Sequence, residues 1–413
     1  MNLSWSDPEL RERRRQSTIL KRWGQPSDLA GTVVLLASDA ASHITGQDFA
    51  SAAAGWSISI ERPLGGKLMA DRTVDLRSDT TTRPTDEMRA AMQSAEVGDD
   101  AFGEDPTVNL LQDKAAEKLG MEASLLVPSG TMGNGLALLV HTESGDTFLS
   151  HERGHVMGRT PFHTTAGITP HTFATEYGVV TLDEVTDLVQ QACAAGGKPS
   201  LLCIENSHNH SGGYAWLPQE VETAGSAARA HGLKVHMDGA RMFNSCVAHG
   251  IAALEYGKHV DSVMFCVSKG LSAPVGSLLC GSRDFIDKAR KVRSSIGGTM
   301  RQAGTVAAAG LIALEKMVGR LAEDHENARL LYEGLRGIDG ITSRQPPNPT
   351  NFVMVDATQL GWSSSDLGER VAAEGVLVIE RPPNDLRLVL HRHLGRDDVD
   401  YTVEAFSKVA AAA

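Results

Sequence analysis

One acid, one arginine and one lysine stand at spacings that could hold and activate an organic cofactor. The stretch Val235-His236-Met237-Asp238-Gly239-Ala240-Arg241 is followed by Ser268-Lys269-Gly270, and Lys269 lies 31 positions after Asp238. A lysine amine can form a Schiff base with a pyridine aldehyde, a carboxylate can pair with the pyridinium nitrogen, and an arginine can serve the ring oxygen or an anionic group. An ordinary ion pair on turn residues would use the same residue types. The elements that must position these groups are short. Leu233 to Met237 predicts a buried strand that ends at Asp238, and Asp261 to Val267 predicts a second, with Lys269 just past its end. In an α/β sheet, groups outside the carboxyl ends of neighbouring strands converge on one crevice.

Other segments supply compatible chemistry. Ser124 to Pro128, then Ser129-Gly130-Thr131, reads as strand, tight turn and helix, so backbone N–H groups and the Thr131 hydroxyl could cradle a phosphate. A Gly-Thr turn also serves as a plain helix cap, and neither a Gly-Lys-Ser/Thr P-loop nor a Gly-x-Ser-x-Gly elbow is present there. His151-Glu-Arg-Gly-His155 follows the strand-like Thr147 to Ser150. Its histidine pair lacks the zincin order, which leaves one imidazole lying flat on a cofactor ring. Leu201 to Glu205 predicts another buried strand, ending in Asn206-Ser-His208-Asn-His210-Ser-Gly-Gly213. Histidines in a glycine-rich loop at a strand end suit catalysis better than packing, and no carboxylate motif supports a metal. The acidic loop Asp99, Asp100, Glu104 and Asp105 lacks calcium-loop spacing and reads as capping, with Pro106 opening a helix to Gly120. No metal site is expected.

The chain has 413 residues, 41% hydrophobic and 22% charged, which is the composition of a globular protein with a sizeable core. A formal charge of −12 argues against a nucleic-acid partner. No uncharged apolar run reaches the roughly 18 residues of a membrane span. Arg11 to Arg15 is not followed by a secretory apolar region, and the five cysteines form no framework, so a cytoplasmic protein is expected.

Residues 1–68 differ from the rest: they carry a net charge of +1, against −13 for the remainder. Residues 22–58, with Arg22-Trp-Gly-Gln-Pro-Ser-Asp28 and Ile44-Thr-Gly-Gln47, resemble the C-terminal end of a short-chain dehydrogenase, without its dinucleotide turn or Tyr-x-x-x-Lys pair. A piece this short cannot bury a stable core alone. Met69 is a plausible alternative start, and residues 69–413 are expected to suffice for activity.

Downstream, helix and strand patterns alternate. Helices are predicted over Thr85–Gln93, Thr181–Ala195 and Pro218–His231, and a long Ala- and Leu-rich helical tract over Thr299–Leu335. This alternation predicts an α/β fold with a largely parallel sheet and helices on both faces. Three parts are expected: an extension over 1–68, an arm and large domain over 69–320, and a smaller α+β domain over 321–413. The last contains strands near Asn351–Val355 and Leu386–His391 and a helix near Ser364–Glu374.

Residues 70 to about 405 resemble the low-specificity L-threonine aldolases of the aromatic amino-acid β-eliminating lyase group. The matching motifs include Asp75-Leu-Arg-Ser-Asp-Thr80, Gly98-Asp-Asp-Ala-Phe-Gly-Glu-Asp-Pro-Thr107, Pro128-Ser-Gly-Thr-Met-Gly-Asn134 and Glu205-Asn-Ser-His-Asn209. His236-Met-Asp-Gly-Ala-Arg-Met-Phe-Asn244, Ser262 to Leu271 and Gly298-Thr-Met-Arg-Gln302 continue the order. The resemblance implies a fold-type-I, pyridoxal-phosphate-dependent, seven-stranded architecture and cleavage of β-hydroxy amino acids to glycine and an aldehyde. It implies that Lys269 carries the cofactor, Asp238 pairs with its ring nitrogen, and His155 stacks on the ring. Gly130 and Thr131 would bind the phosphate, with Arg301 reaching it from a neighbour in a homotetramer. Arg241 would contact the ring oxygen and substrate carboxylate, Ser78 and Arg387 would clamp that carboxylate, and His208 would lie near the β-hydroxyl. The catalytic base stays open between His155, His208 and a water they position. Phe102 replaces the usual tyrosine and Ser272 a common glycine. A β-eliminating lyase or racemase of the same fold, and a non-catalytic regulator that reads DNA through residues 1–68, are the competing expectations.

Overall fold

The computed structural model describes residues 72–159 and 162–413, together with strands β1 (Gln47–Ser51) and β2 (Trp56–Ile60). The chain divides into two compact units, Met1–Leu68 and Met69–Ala413. In the first, β1 and β2 pair antiparallel, from Gln47 opposite Ile60 to Ser51 opposite Trp56. Most of the dehydrogenase-like stretch lies outside the described residues.

The second unit opens on β3 (Val74–Asp75) and is built around a seven-stranded sheet. In chain order its strands are β4 (Ala123–Val127), β5 (Thr147–His151), β6 (Thr169–Phe173), β7 (Pro199–Glu205), β8 (Lys234–Asp238), β9 (Ser262–Cys266) and β10 (Ser277–Gly281). They lie in the order β4-β10-β9-β8-β7-β5-β6, and β10 alone runs antiparallel to its neighbours.

Period-two alternation sorts the strand side chains onto two faces. Leu126, Val263, Phe265, Leu278, Val235 and Met237 join one core with residues of helices Pro106–Leu119, Leu182–Ala194 and Pro218–Ala230. Leu125, Val127, Met264, Cys266 and Leu279 join another with helices Gly130–His141 and Arg283–Ser295. Strands buried on both faces read as continuous apolar runs, as these do. Each fully buried Leu, Val or Phe contributes about 1.5–3 kcal/mol.

Helix starts follow their sequence signals. Asp105 accepts from the N–H groups of Thr107 and Val108, with Pro106 at the first position, and Gly120 ends that helix at φ 63°. Thr181 and Glu184 form a reciprocal capping box. The long tract expected over Thr299–Leu335 is broken: Gly304–Ile312 runs into a wide π turn at Ala313–Met317, and a separate helix covers Leu321–Leu335.

Beyond it, β11 (Thr342–Arg344), β12 (Phe352–Asp356), β13 (Val376–Leu377), β14 (Ile379–Arg381) and β15 (Asp385–Val389) follow. A four-stranded antiparallel sheet has the order β11-β12-β15-β14, while β13 pairs with β3 in parallel. A third core joins Val353, Val355, Leu386 and Leu388 to helices Leu321–Leu335 and Arg396–Ala411, and takes in Val74 and Leu76 of the arm. The arm thus ties this smaller sheet to the residues that precede the large one. Among the described residues, no helix is long and apolar enough to cross a membrane.

Candidate active site

Five strands of the large sheet deliver side chains to one cleft of about 560 Å³ at their carboxyl ends, within the size range of small-molecule sites. After β4, Ser129 caps helix Gly130–His141 by accepting from the N–H of Met132. The first N–H groups of a helix have no partner within it, and here the residues of that first turn, Gly130 and Thr131, line the cleft. A Cβ on Gly130 would meet Cys266 Sγ at 3.0 Å and Met264 Cε at 3.1 Å, so any larger residue at this helix start would press on the side chains of β9.

Asp238 ends β8 on the face that meets the same helix. Its Oδ1 accepts from Ala240 N at 3.1 Å and its Oδ2 from Asn134 Nδ2 at 2.6 Å. Behind it runs a buried chain: Asn134 Oδ1 lies 3.0 Å from His236 Nε2, and His236 Nδ1 lies 2.9 Å from Ser262 Oγ. Ser262 Oγ in turn lies 2.8 Å from His141 Nε2. Burial pushes both imidazoles down to about 3, so the chain is neutral and leaves the negative charge of Asp238 uncompensated from behind. The helix whose first turn lines the cleft therefore also orients the carboxylate, through Asn134. Toward the cleft, His155 Nδ1 stands 3.7 Å from Asp238 Oδ2.

Lys269 follows β9, its main chain fixed where its carbonyl accepts from Ser272 N and from Thr82 Oγ1, each at 2.8 Å. Ser272 takes a left-handed φ of 65°, which accounts physically for a preference for glycine at that turn. Arg241 donates through Nε and Nη2 to both oxygens of Asp79, at 2.8 and 2.6 Å. Burial alone would raise the Asp79 carboxyl, but the charge and hydrogen bonds of Arg241 hold it at about 2. Two of the three guanidinium nitrogens of Arg241 are thus committed to Asp79. Arg387, on β15, donates to Asn209 Oδ1 at 2.7 Å and to Arg77 O at 3.0 Å, over the ring of Phe352. Glu205, at the end of β7, is buried and pushed well up by burial and then by Asp238.

Ser78, Gly130, Thr131, His155, Asp238, Arg241, Lys269 and Arg387 all line the cleft. His208 and Arg301 do not line this cleft, Arg301 being expected at a neighbour's. His208 is 1% exposed, with Nδ1 2.8 Å from Ser211 Oγ and its ring edge-on to His151. Burial pushes it down to about 3, and His210 lines the cleft instead. His208 is therefore not among the residues that line the cleft in this chain. Arg301 is 65% exposed, with Nη1 3.3 Å from Asp99 Oδ2, outside the cleft of its own chain. Glu205, Asn134, Asn209 and Asp79 were not singled out from sequence. The position of Glu205 at a strand's carboxyl end was the one available signal.

These groups fit pyridoxal phosphate: a helix start at Gly130 and Thr131 on the cleft wall, a buried carboxylate held toward an imidazole, and one lysine among the described cleft residues. Among the described residues, no group of three or more His, Cys, Asp or Glu is arranged to hold a metal ion.

The comparisons agree. The beta-eliminating lyase family model matches residues 75–358, and the chain belongs to that family, whose members use pyridoxal phosphate. Within it, the chain is 40% identical to low-specificity L-threonine aldolase 1 of Arabidopsis thaliana over 82% of its own length and 97% of the relative's. It is also 40% identical to the low specificity L-threonine aldolase of Escherichia coli strain K12, over 79% and 96% of the two chains. The threonine aldolase structure from Leishmania major superposes with a TM-score of 0.69 at 16% identity, covering 81% of this chain and 99% of that one, and supports the fold. The dehydrogenase resemblance of residues 22–58 finds no support in these comparisons.

Buried histidines also set the acid response. Burial lowers His141, His208 and His236 to about 3 and His210 and His325 to about 4. Their folded values lie below the unfolded value of about 6.5, so their stabilisation is present above that pH and is lost as pH falls toward 4. The Glu205 and Asp324 carboxyls, raised by burial, act in the opposite sense and offset only part of this. The urea midpoint is expected to fall steadily from pH 6.5 to 4.5. A flat profile would contradict the buried, neutral assignment.

Proposed function

We propose that the chain cleaves the Cα–Cβ bond of L-threonine, L-allo-threonine or related β-hydroxy-α-amino acids, giving glycine and an aldehyde. The observation that carries this reading is the convergence of Lys269, Asp238, His155 and Arg387 on one cleft. Pyridoxal 5'-phosphate, when bound, supplies the sink for the electron pair left on Cα. Lys269 would hold the cofactor through its amine, and Gly130 and Thr131 would hold its phosphate. Asp238 would face the ring nitrogen and hold its proton, His155 would pack on the ring, and Arg241 would serve the ring oxygen.

Arg387 and Ser78 would grip the amino-acid carboxylate and fix the orientation of the scissile bond, so that less of the barrier remains to be crossed by chance orientation. The β-hydroxyl proton passes to a cleft imidazole, directly or through one water. His155 is the better candidate, because burial and Arg153 hold His210 down at about 4. All these residues lie between positions 78 and 387, which supports the reading that residues 69–413 suffice for activity.

A homotetramer acting in the cytoplasm is part of the same reading, with Arg301 meeting a neighbour's phosphate site. Phe102, 76% exposed, shares its loop with the Asp99 partner of Arg301 and provides an apolar contact for that neighbour.

The test is product analysis of the pyridoxal-phosphate-loaded chain with threonine, allo-threonine and phenylserine. Glycine with the matching aldehyde is expected. Ammonia with a keto acid, or a D-amino acid, would identify the alternative β-eliminating lyase or racemase.

Arg387→Ala is expected to raise KM for the amino acid about 100-fold, the loss of one charge-assisted clamp, with cofactor affinity little changed. A larger loss of cofactor than of amino acid would reassign Arg387 to the phosphate.

A further inference from the structure

Resting on that reading of the cleft, we propose that Glu205 is a positioning residue that sets the ring-stacking His155 and the carboxylate clamp Arg387 from a single carboxylate. Its Oε2 accepts from His155 N at 2.8 Å, and its Oε1 accepts from Asn209 N at 2.9 Å. Asn209 then passes the constraint on, because its Oδ1 accepts from Arg387 Nη1 at 2.7 Å. Arg387 also donates to Arg77 O at 3.0 Å, beside Ser78. Two loops from different strands and an arginine from the smaller sheet therefore hang on one side chain.

The chemistry requires a carboxylate there. Each oxygen faces a backbone N–H, and an amide has only one acceptor oxygen, so glutamine must turn its NH₂ toward one of the two donors. The site is buried, where an unanswered N–H is costly. The ionisable groups around Glu205 are Asp238, its register neighbour on β8, with Lys269 and Arg241 across the cleft and His155 on the loop it holds. Burial and the Asp238 charge raise the Glu205 carboxyl, which marks it as a group kept at an electrostatic cost.

The test compares wild type, Glu205→Gln and Asn209→Ala, all loaded with pyridoxal phosphate. Cofactor and glycine dissociation constants are read from absorbance titrations, and the stacking geometry from the circular dichroism of the bound cofactor. Glu205→Gln is expected to weaken both constants about tenfold or more and to reduce the dichroic band. Asn209→Ala is expected to weaken glycine alone and leave the band intact. Hydrogen exchange in residues 152–158 and 206–211 should rise together in Glu205→Gln. Loss of only one ligand's affinity in Glu205→Gln, or exchange changing in only one segment, overturns the proposal. If Glu205→Gln does not fold, Glu205→Asp, which keeps the charge but retracts it by one carbon, must show the paired loss, and retention of both constants overturns the proposal equally. Failure of the wild type to bind pyridoxal phosphate is a separate result and overturns the reading of the cleft itself.

Discussion

Lys269→Ala is expected to retain pyridoxal phosphate weakly, to lack the near-visible absorbance band of a lysine-bound cofactor, and to lose at least about 10³-fold in turnover. Lys269 is the one lysine among the described residues lining the cleft, so no neighbour there can take over the attachment. Its backbone is held by Thr82 and Ser272, which keeps the amine's origin fixed as the side chain exchanges partners. Lys269→Arg separates charge from chemistry, since it keeps the positive charge beside Asp79 and Glu205 but cannot form the attachment. Both variants should lose the band. A band that survives in either one means that another amine carries the cofactor.

Asp238→Ala is expected to be the second largest loss, about 10³-fold in turnover together with weaker cofactor retention. A buried carboxylate facing a cationic ring nitrogen supplies on the order of 2–5 kcal/mol when that partner is stranded, and 1.4 kcal/mol is a factor of ten. The substitution also strands Asn134 Nδ2, which donates to Asp238 at 2.6 Å, and removes the acceptor facing His155. Activity and the cofactor's protonation-dependent absorbance should therefore change together. Full turnover in Asp238→Ala would remove the electronic role assigned to this residue.

The parts of the site that were legible in sequence sit at strand ends. Asp238 and Lys269 each follow an apolar run, and a parallel sheet brings such ends together whatever the loops do. Gly130-Thr131 was legible for a related reason, because a strand followed by a glycine turn and a helix has few other geometries. Partners far apart in the chain were not legible. Arg241 pairs with Asp79 across 162 positions, and Arg387 meets Asn209 across 178, through contacts that only the folded chain creates. His208 and His210 show the limit at short range. They differ by two residues in one loop, yet one packs behind the wall while the other lines the cleft. The choice is made by Ser211, which holds His208 Nδ1, and by Gly178, where a Cβ would stand only 2.6 Å from the His208 ring. The antiparallel β10 was also hidden, since a strand buried on both faces carries no alternation to show its direction. The break in the tract over 299–335 has a local origin that composition obscured: the apolar pattern continues through Ala313–Met317 while the backbone widens to a π turn.

The central claim is that the lysine after β9 carries the cofactor against the carboxylate that ends β8. Borohydride reduction of the chain loaded with pyridoxal phosphate, followed by digestion and mass spectrometry of the labelled peptide, tests it most directly. A stoichiometric pyridoxyl label on Lys269, absent when Lys269 is replaced, is the predicted result. A label on another lysine, or none on the loaded wild type, would contradict it.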